Sequence, residues 1–203
     1  MPSITFDLET VTPLFLAGAD QQKAELRPPA FRGALRYWFR AIAAGITDFE
    51  EVKKWEKKVF GSTEAGSAVI IRVQASKLSS SKSLSENPDC PGLKYLLFSA
   101  YQNQRGCFPP KEKFIVILQT RPQTPEQLEK LQLAVGAMWM LIQFGGIGSR
   151  SNRGGGNLRV NGVTQNNVEI NLPKLQLNSE KLDAVKQELE TGIKTIIELY
   201  RCV

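Results

Sequence analysis

Two observations predict an α+β sandwich. Short alternating or β-branched apolar runs recur along the chain, and longer runs with helical spacing separate them in the order β, α, α, β, β, α, β, α. Strands and helices in that order suggest a ferredoxin-like, split βαβ arrangement. The sequence carries no internal repeat. One domain over residues 1–203 is therefore expected, with insertions and an extra C-terminal helix.

Ile4, Phe6 and Leu8 alternate with Thr5, Asp7 and Glu9, the period of a half-buried strand. Thr12-Pro13 ends it, and a mostly polar loop runs from Gly18 to Pro29. Pro28-Pro29 fits a stiff entry into a helix over Phe31 to about Ala44, stopped by Gly45. A second helix is expected from about Asp48, its N-cap, to Val59, before Gly61. Ser67 to Ala75 is rich in β-branched residues and predicts a strand. Ser76 to Pro91 reads as an exposed insertion. Gly92 to Ala100 predicts a short strand, and Phe114 to Leu118 a clear one. Thr124-Pro125-Glu126 begins a long helix reaching about Gln143, with its apolar C-terminal half buried. Asn157 to Val163 follows as a strand. Asn178-Ser179 caps a last amphipathic helix, about residues 179–200.

The composition is that of a globular chain, 42% hydrophobic and 23% charged, which argues against disorder throughout. The most apolar stretch, Leu131 to Ile147, is broken by Gln132, Gly136 and Gln143, so no membrane span is expected. Met1 to Phe6 lacks the pattern of an export signal. Three cysteines, Cys90, Cys107 and Cys202, are widely spaced, and the chain holds no histidine. Reduced thiols in a cytoplasmic protein are expected, with neither a disulfide framework nor a zinc site.

The net charge of +6 means less than its distribution. From Leu26 to Thr47 there are four arginines (Arg27, Arg32, Arg36, Arg40) and no acid. From Lys130 to Val168 there are Lys130, Arg150, Arg153 and Arg159, again with no acid. Most acids lie elsewhere, many beside lysines in Phe49–Lys58 and Ser179–Glu190, where a solvated, salt-bridged surface is the default. Arg32, Arg36 and Arg40 are spaced i, i+4, i+8 and rise along one helix face. Leu35, Trp38, Phe39 and Ile42 would face the core. Without nearby acids, these arginines have few local partners and suit a phosphate or an acidic protein. A solvated arginine face is the plain alternative. Gly33, inside the helix at a penalty of about 1 kcal/mol, reads as a packing notch or a point of close backbone approach.

Six glycines fall within Gly145–Gly156. Glycines permit positive φ and let backbone N–H groups form a concave anion site, to which Arg150 and Arg153 add charge and stacking planes. A flexible connector is the alternative. Neither a phosphate-binding Gly-Lys-Ser/Thr signature nor a dinucleotide fingerprint is present, so no cofactor is expected. Catalysis lacks its commonest means. General acid–base work would fall to Tyr37, Tyr101, a lysine or a carboxylate, and Asp20, Glu25 and Asp48 show no metal-sharing spacing.

One string goes further than composition. Thr12-Pro13-Leu14-Phe15-Leu16-Ala17-Gly18-Ala19 precedes Glu25-Leu26-Arg27-Pro28-Pro29-Ala30-Phe31-Arg32-Gly33-Ala34-Leu35-Arg36-Tyr37-Trp38-Phe39-Arg40. With Val59-Phe60-Gly61, the strand opening at Ser67 and the glycine loop, these resemble RAMP-superfamily proteins of type III-B CRISPR (Cmr) effector complexes. The first subunit of that complex is the nearest in pattern, and the matches run from Ile4 to about Leu158. The resemblance implies an RRM-related, ferredoxin-like RAMP fold and a non-catalytic structural role in antiviral defence. It implies binding of crRNA near the guide's 3′ region, beside other Cmr-complex RAMP subunits. By position, Arg32, Arg36, Arg40, Gly146, Gly148, Arg150 and Arg153 become candidate RNA contacts, with Lys23 and Arg27 weaker ones. The alternative within the same fold is a RAMP endoribonuclease that processes precursor crRNA. Longer members resemble two such domains in tandem, whereas only about forty residues follow the last predicted strand here. A short form is expected.

Overall fold

The computed structural model describes residues 1–75, 78–79, 82–83, 91–121, 124–177 and 181–201. Its main sheet holds β1 (Ser3–Thr10), β2 (Val69–Gln74), β5 (Lys113–Thr120) and β6 (Leu158–Asn166), in the order β2-β5-β1-β6 with every pair antiparallel. β1 and β2 are thus parallel, separated by β5, and β5 and β6 are parallel, separated by β1. Helix α1 (Pro28–Ala43) makes the first crossover and α5 (Pro125–Phe144) the second. This is the ferredoxin-like split βαβ order that the sequence predicts.

Strand alternation decides which face is covered. Ile4, Phe6 and Leu8 of β1, Phe114, Val116 and Leu118 of β5, and Val69 and Ile71 of β2 are buried on one face. Phe31, Leu35 and Phe39 of α1 and most of α5 from Leu131 to Ile142 pack onto them. Trp38 is only partly buried, because it lies at the α1 border and covers Gly145. The opposite face of the sheet, with Thr5, Asp7, Ile115, Ile117 and Arg72, is left open. Among the described residues it carries no aromatic ring.

Helix α1 begins at Pro28, three residues before the expected start, because both prolines fit its first turn, where the missing N–H groups have no intrahelical use. Asp48 caps α2 (Phe49–Phe60) as expected, its carboxylate accepting from the amides of Glu50 and Glu51 at 2.9 and 3.0 Å. A final helix, α6 (Leu182–Arg201), packs on α5 and α1. Its expected cap, Asn178-Ser179, lies outside the described residues, as does most of the expected insertion 76–91.

One expectation is corrected. Gly92–Ala100 is not a strand but two short helices, α3 (Pro91–Leu96) and α4 (Phe98–Gln102). Leu97 and Ala100, three apart, turn inward together against Phe15 and Cys107, a spacing that helical geometry satisfies and strand alternation does not. A small ladder of β3 (Lys82–Ser83) and β4 (Gly106–Cys107), absent from the sequence reading, flanks them.

Candidate nucleic-acid interface

The glycine loop runs from the end of α5 to β6 and is braced by the segment that follows β1. The Gly156 N–H donates to the Pro13 carbonyl at 2.9 Å and the Ser149 N–H to the Phe15 carbonyl at 2.8 Å. The Ile147 N–H donates to the Gly156 carbonyl at 2.9 Å, and Asn157 Nδ2 to the Gly145 carbonyl at 2.9 Å. Gly148 and Gly156 lie at φ +91° and +68°, and a Cβ at either would overlap the carbonyl oxygen of Phe15 or Ile147. So many fixed bonds exclude the flexible-connector alternative for this loop. They also account for the Thr12–Ala19 string, whose carbonyls hold it.

The amides alternate in use. Those of Ile147 and Ser149 are bonded inward, whereas Gly146 and Gly148 make no hydrogen bond to protein among the described residues. Both glycines line an open groove of about 710 Å³, together with Gly145, Ser151 and Asn152 from the loop. Its other wall is α1, through Ala30, Gly33, Ala34 and Tyr37, spaced i, i+3, i+4, i+7. Gly33 has nothing within 4 Å of where its Cβ would stand, so it is not a packing notch within this chain. It widens the groove instead.

Arg150 sits in the left-handed region at φ 73°, a conformation that costs a non-glycine residue about 1 kcal/mol. Its carbonyl accepts from the N–H groups of Arg153, at 2.8 Å, and Gly155, at 3.0 Å, closing the tight turn at Ser151–Arg153. Glycine would relieve the strain, so the arginine side chain at this position invites a functional reason.

The arginine stripe of α1 is where the structure departs most from expectation. Arg36 Nε reaches Glu56 Oε1 at 2.6 Å and Arg40 Nη1 reaches the same oxygen at 2.8 Å, while Arg36 Nη2 donates to the Gly61 carbonyl at 3.1 Å. The expectation that these arginines lack a local acid is therefore corrected. Glu56 lies among lysines in sequence, yet the α1–α2 packing turns it inward onto the stripe. The stripe faces α2, and the groove lies on the neighbouring face of α1.

Arg27 approaches Glu25 at 3.9 Å, Lys130 pairs with Glu126 at 2.7 Å, and Arg159 pairs with Glu9 across β6 and β1. Of the eight cations in the two acid-free tracts, only Arg32, Arg150 and Arg153 make no ion pair among the described residues. Arg32 is half-buried, with its Nε enclosed and without a hydrogen-bond partner. Lys23 is exposed on the loop before α1, away from the groove lining. Arg105, absent from the sequence reading, lines a smaller pocket with Gly18 and Ser149, and its Nε is likewise enclosed without a partner. Arg150 and Arg153 are neighbours of Tyr95 and Phe98, two exposed rings in the segment whose sequence predicts a strand. Among the described residues, no three acidic or cysteine side chains are grouped to hold a metal ion, and no helix is long and apolar enough to cross a membrane.

A ferredoxin-like sheet whose second crossover ends in a braced glycine loop defines the class. A model of the RAMP superfamily matches residues 7–159, and the chain belongs to that superfamily. It is similar to CRISPR system Cmr subunit Cmr1-2 of Pyrococcus furiosus, with 31% identity over 179 residues, 76% of this chain and 93% of that protein. Cmr1-1 of the same organism is 33% identical over 165 residues, 76% of this chain but 46% of that protein. The crystal structure of P. furiosus Cmr1 in its apo form superposes with a TM-score of 0.77 at 26% identity, covering 98% of this chain and 60% of that one. The chain thus spans nearly all of the shorter relative and about half of the longer.

Proposed function

We propose that this chain is a non-catalytic, crRNA-binding structural subunit of a type III-B CRISPR (Cmr) ribonucleoprotein, acting as a single short RAMP domain near the guide's 3′ end beside other RAMP subunits. The observation that carries this reading is the groove between α1 and the braced glycine loop. Among the described residues, two glycine amides without protein acceptors line it, and two arginines without acid partners stand on the loop that forms it. Backbone amides and unpaired guanidinium groups are what phosphate oxygens need, and they carry no sequence preference. The similarity to Cmr1 proteins supports the choice of ligand and assembly.

The endoribonuclease alternative needs an acid–base pair in the groove. Among the described lining residues, Tyr37 is the one titratable side chain, which leaves proton transfer without a second group. Purified protein should bind single-stranded RNA with little base preference and leave a repeat RNA uncut in the absence of metal. Co-purification with Cmr proteins and a short RNA is the expected cellular result. Metal-free cutting of the repeat would replace this reading with the enzymatic one.

A further inference from the structure

We propose that Tyr95 and Phe98 form a stacking platform for unpaired RNA bases, set beside the phosphate-binding arginines Arg150 and Arg153; the inference rests on the RNA-binding reading above. Tyr95 is 79% exposed and Phe98 63% exposed. With Leu96, Ser99, Arg150 and Arg153 they surround a shallow pocket of about 470 Å³ that contains no acid.

The fold does not require these rings. Leu97 and Ala100, between and beyond them, do the anchoring of α3 and α4 against Phe15 and Cys107, while Tyr95 and Phe98 point the other way, into solvent. Large apolar side chains grouped at a surface mark a binding site more often than chance exposure does. Here the position of the group is fixed relative to the glycine loop. Phe15 packs in the small cluster under Leu97, and its carbonyl holds the Ser149 amide. One residue thereby sets the separation of rings and arginines.

The occupant follows from the chemistry. Two guanidinium groups without acid partners among the described residues demand negative charge, and two open rings demand flat apolar faces. A nucleic-acid strand offers both in alternation. A duplex hides its bases in the stack, so the ligand is single-stranded. RRM-type folds place such rings on the open face of the sheet, and that face has none among the described residues here. The platform has moved to α3 and α4.

The test uses the full chain and three probes of equal length: oligouridine RNA, the same RNA as a duplex, and an abasic ribose-phosphate oligomer. Tyr95→Ala with Phe98→Ala should weaken oligouridine binding by about tenfold for each ring removed. Binding of the abasic oligomer should change by less than about twofold, since its contacts are to phosphate. Tyr95→Phe should retain affinity, and the duplex should bind the wild type and the variant alike. Unchanged oligouridine affinity in the double variant, or an equal loss for the abasic probe, overturns the platform. If Arg150→Ala with Arg153→Ala still weakens binding in that case, the RNA-binding reading stands alone. A wild-type chain that binds none of the probes removes both. Both rings are exposed, so an unchanged thermal transition serves as the folding control.

Discussion

Glu56 sits in a run of alternating acids and lysines that looks like solvated helix surface, yet its side chain is only 11% exposed and holds two arginines on one oxygen. Removing it strands Arg36 and Arg40 beside α2, although both are open enough to regain water. Glu56→Ala should therefore lower unfolding free energy by about 1–2 kcal/mol, read from urea denaturation. A loss below about 0.3 kcal/mol would mean that the cluster is solvated surface after all. Cys107 makes a second prediction. Burial pushes its thiol up from 9.0 to about 11, and burial also raises the Tyr200 hydroxyl well above its ordinary value. Both groups keep their protons in the folded chain after the unfolded chain has lost them. Stability should thus hold below about pH 9 and fall as pH rises toward about 11. A urea midpoint that stays level across that interval would contradict the burial of these groups.

At the scale of elements, the close crossing of α5 and α6 depends on absent side chains. A Cβ at Gly192 would strike the Trp139 ring, and one at Gly136 would press on Tyr200 and Ile196. Trp139 cannot give way easily, since it is fully buried and its Nε1 donates to the Lys174 carbonyl at 3.1 Å. Tyr200 is tied as well, donating to the Leu133 carbonyl at 2.6 Å. Alanine would gain about 1 kcal/mol of helix propensity at Gly192, against an overpacking penalty of about 1–3 kcal/mol. The penalty should win, and Gly192→Ala should lower the thermal midpoint; a raised midpoint would show that α6 is loosely docked. The long, strongly patterned elements were legible beforehand: β1, α1, α2, β5 and α5 lie where their periodicity put them. The segment Gly92–Ala100 was not, because a nine-residue apolar stretch suits either period until its burial partners are known.

At the scale of the whole molecule, the two basic tracts separate into different roles. Arg36 and Arg40 are bound into the α1–α2 packing, whereas Arg150 and Arg153 stand on the glycine loop beside Tyr95 and Phe98, without carboxylate partners among the described residues. Arg150→Ala with Arg153→Ala should weaken single-stranded RNA binding and reduce the slope of log affinity against log salt by about 1–2, with little change in stability. Arg36→Ala should do the reverse, costing stability more than affinity. Equal effects of the two variants on affinity would restore the arginine stripe as a main contact. The candidate site was therefore half legible. Its glycine loop, Arg150, Arg153 and Gly33 could be named from residue type and spacing, because positive φ and planar cations have few common uses. The helix face that completes the groove, the acid that neutralises the stripe, and the rings of Tyr95 and Phe98 could not.

The sequence by itself determined the long elements β1, α1, α2, β5 and α5, the buried face of β1 and the glycine content of the loop, since these follow from residue type and local periodicity. It also carried the string that places the chain among RAMP proteins. Only the tertiary structure decided which charges stay unpaired. Ion pairing depends on distances between residues far apart in the chain, such as Glu56 with Arg36 and Glu9 with Arg159, and no spacing along the sequence encodes them.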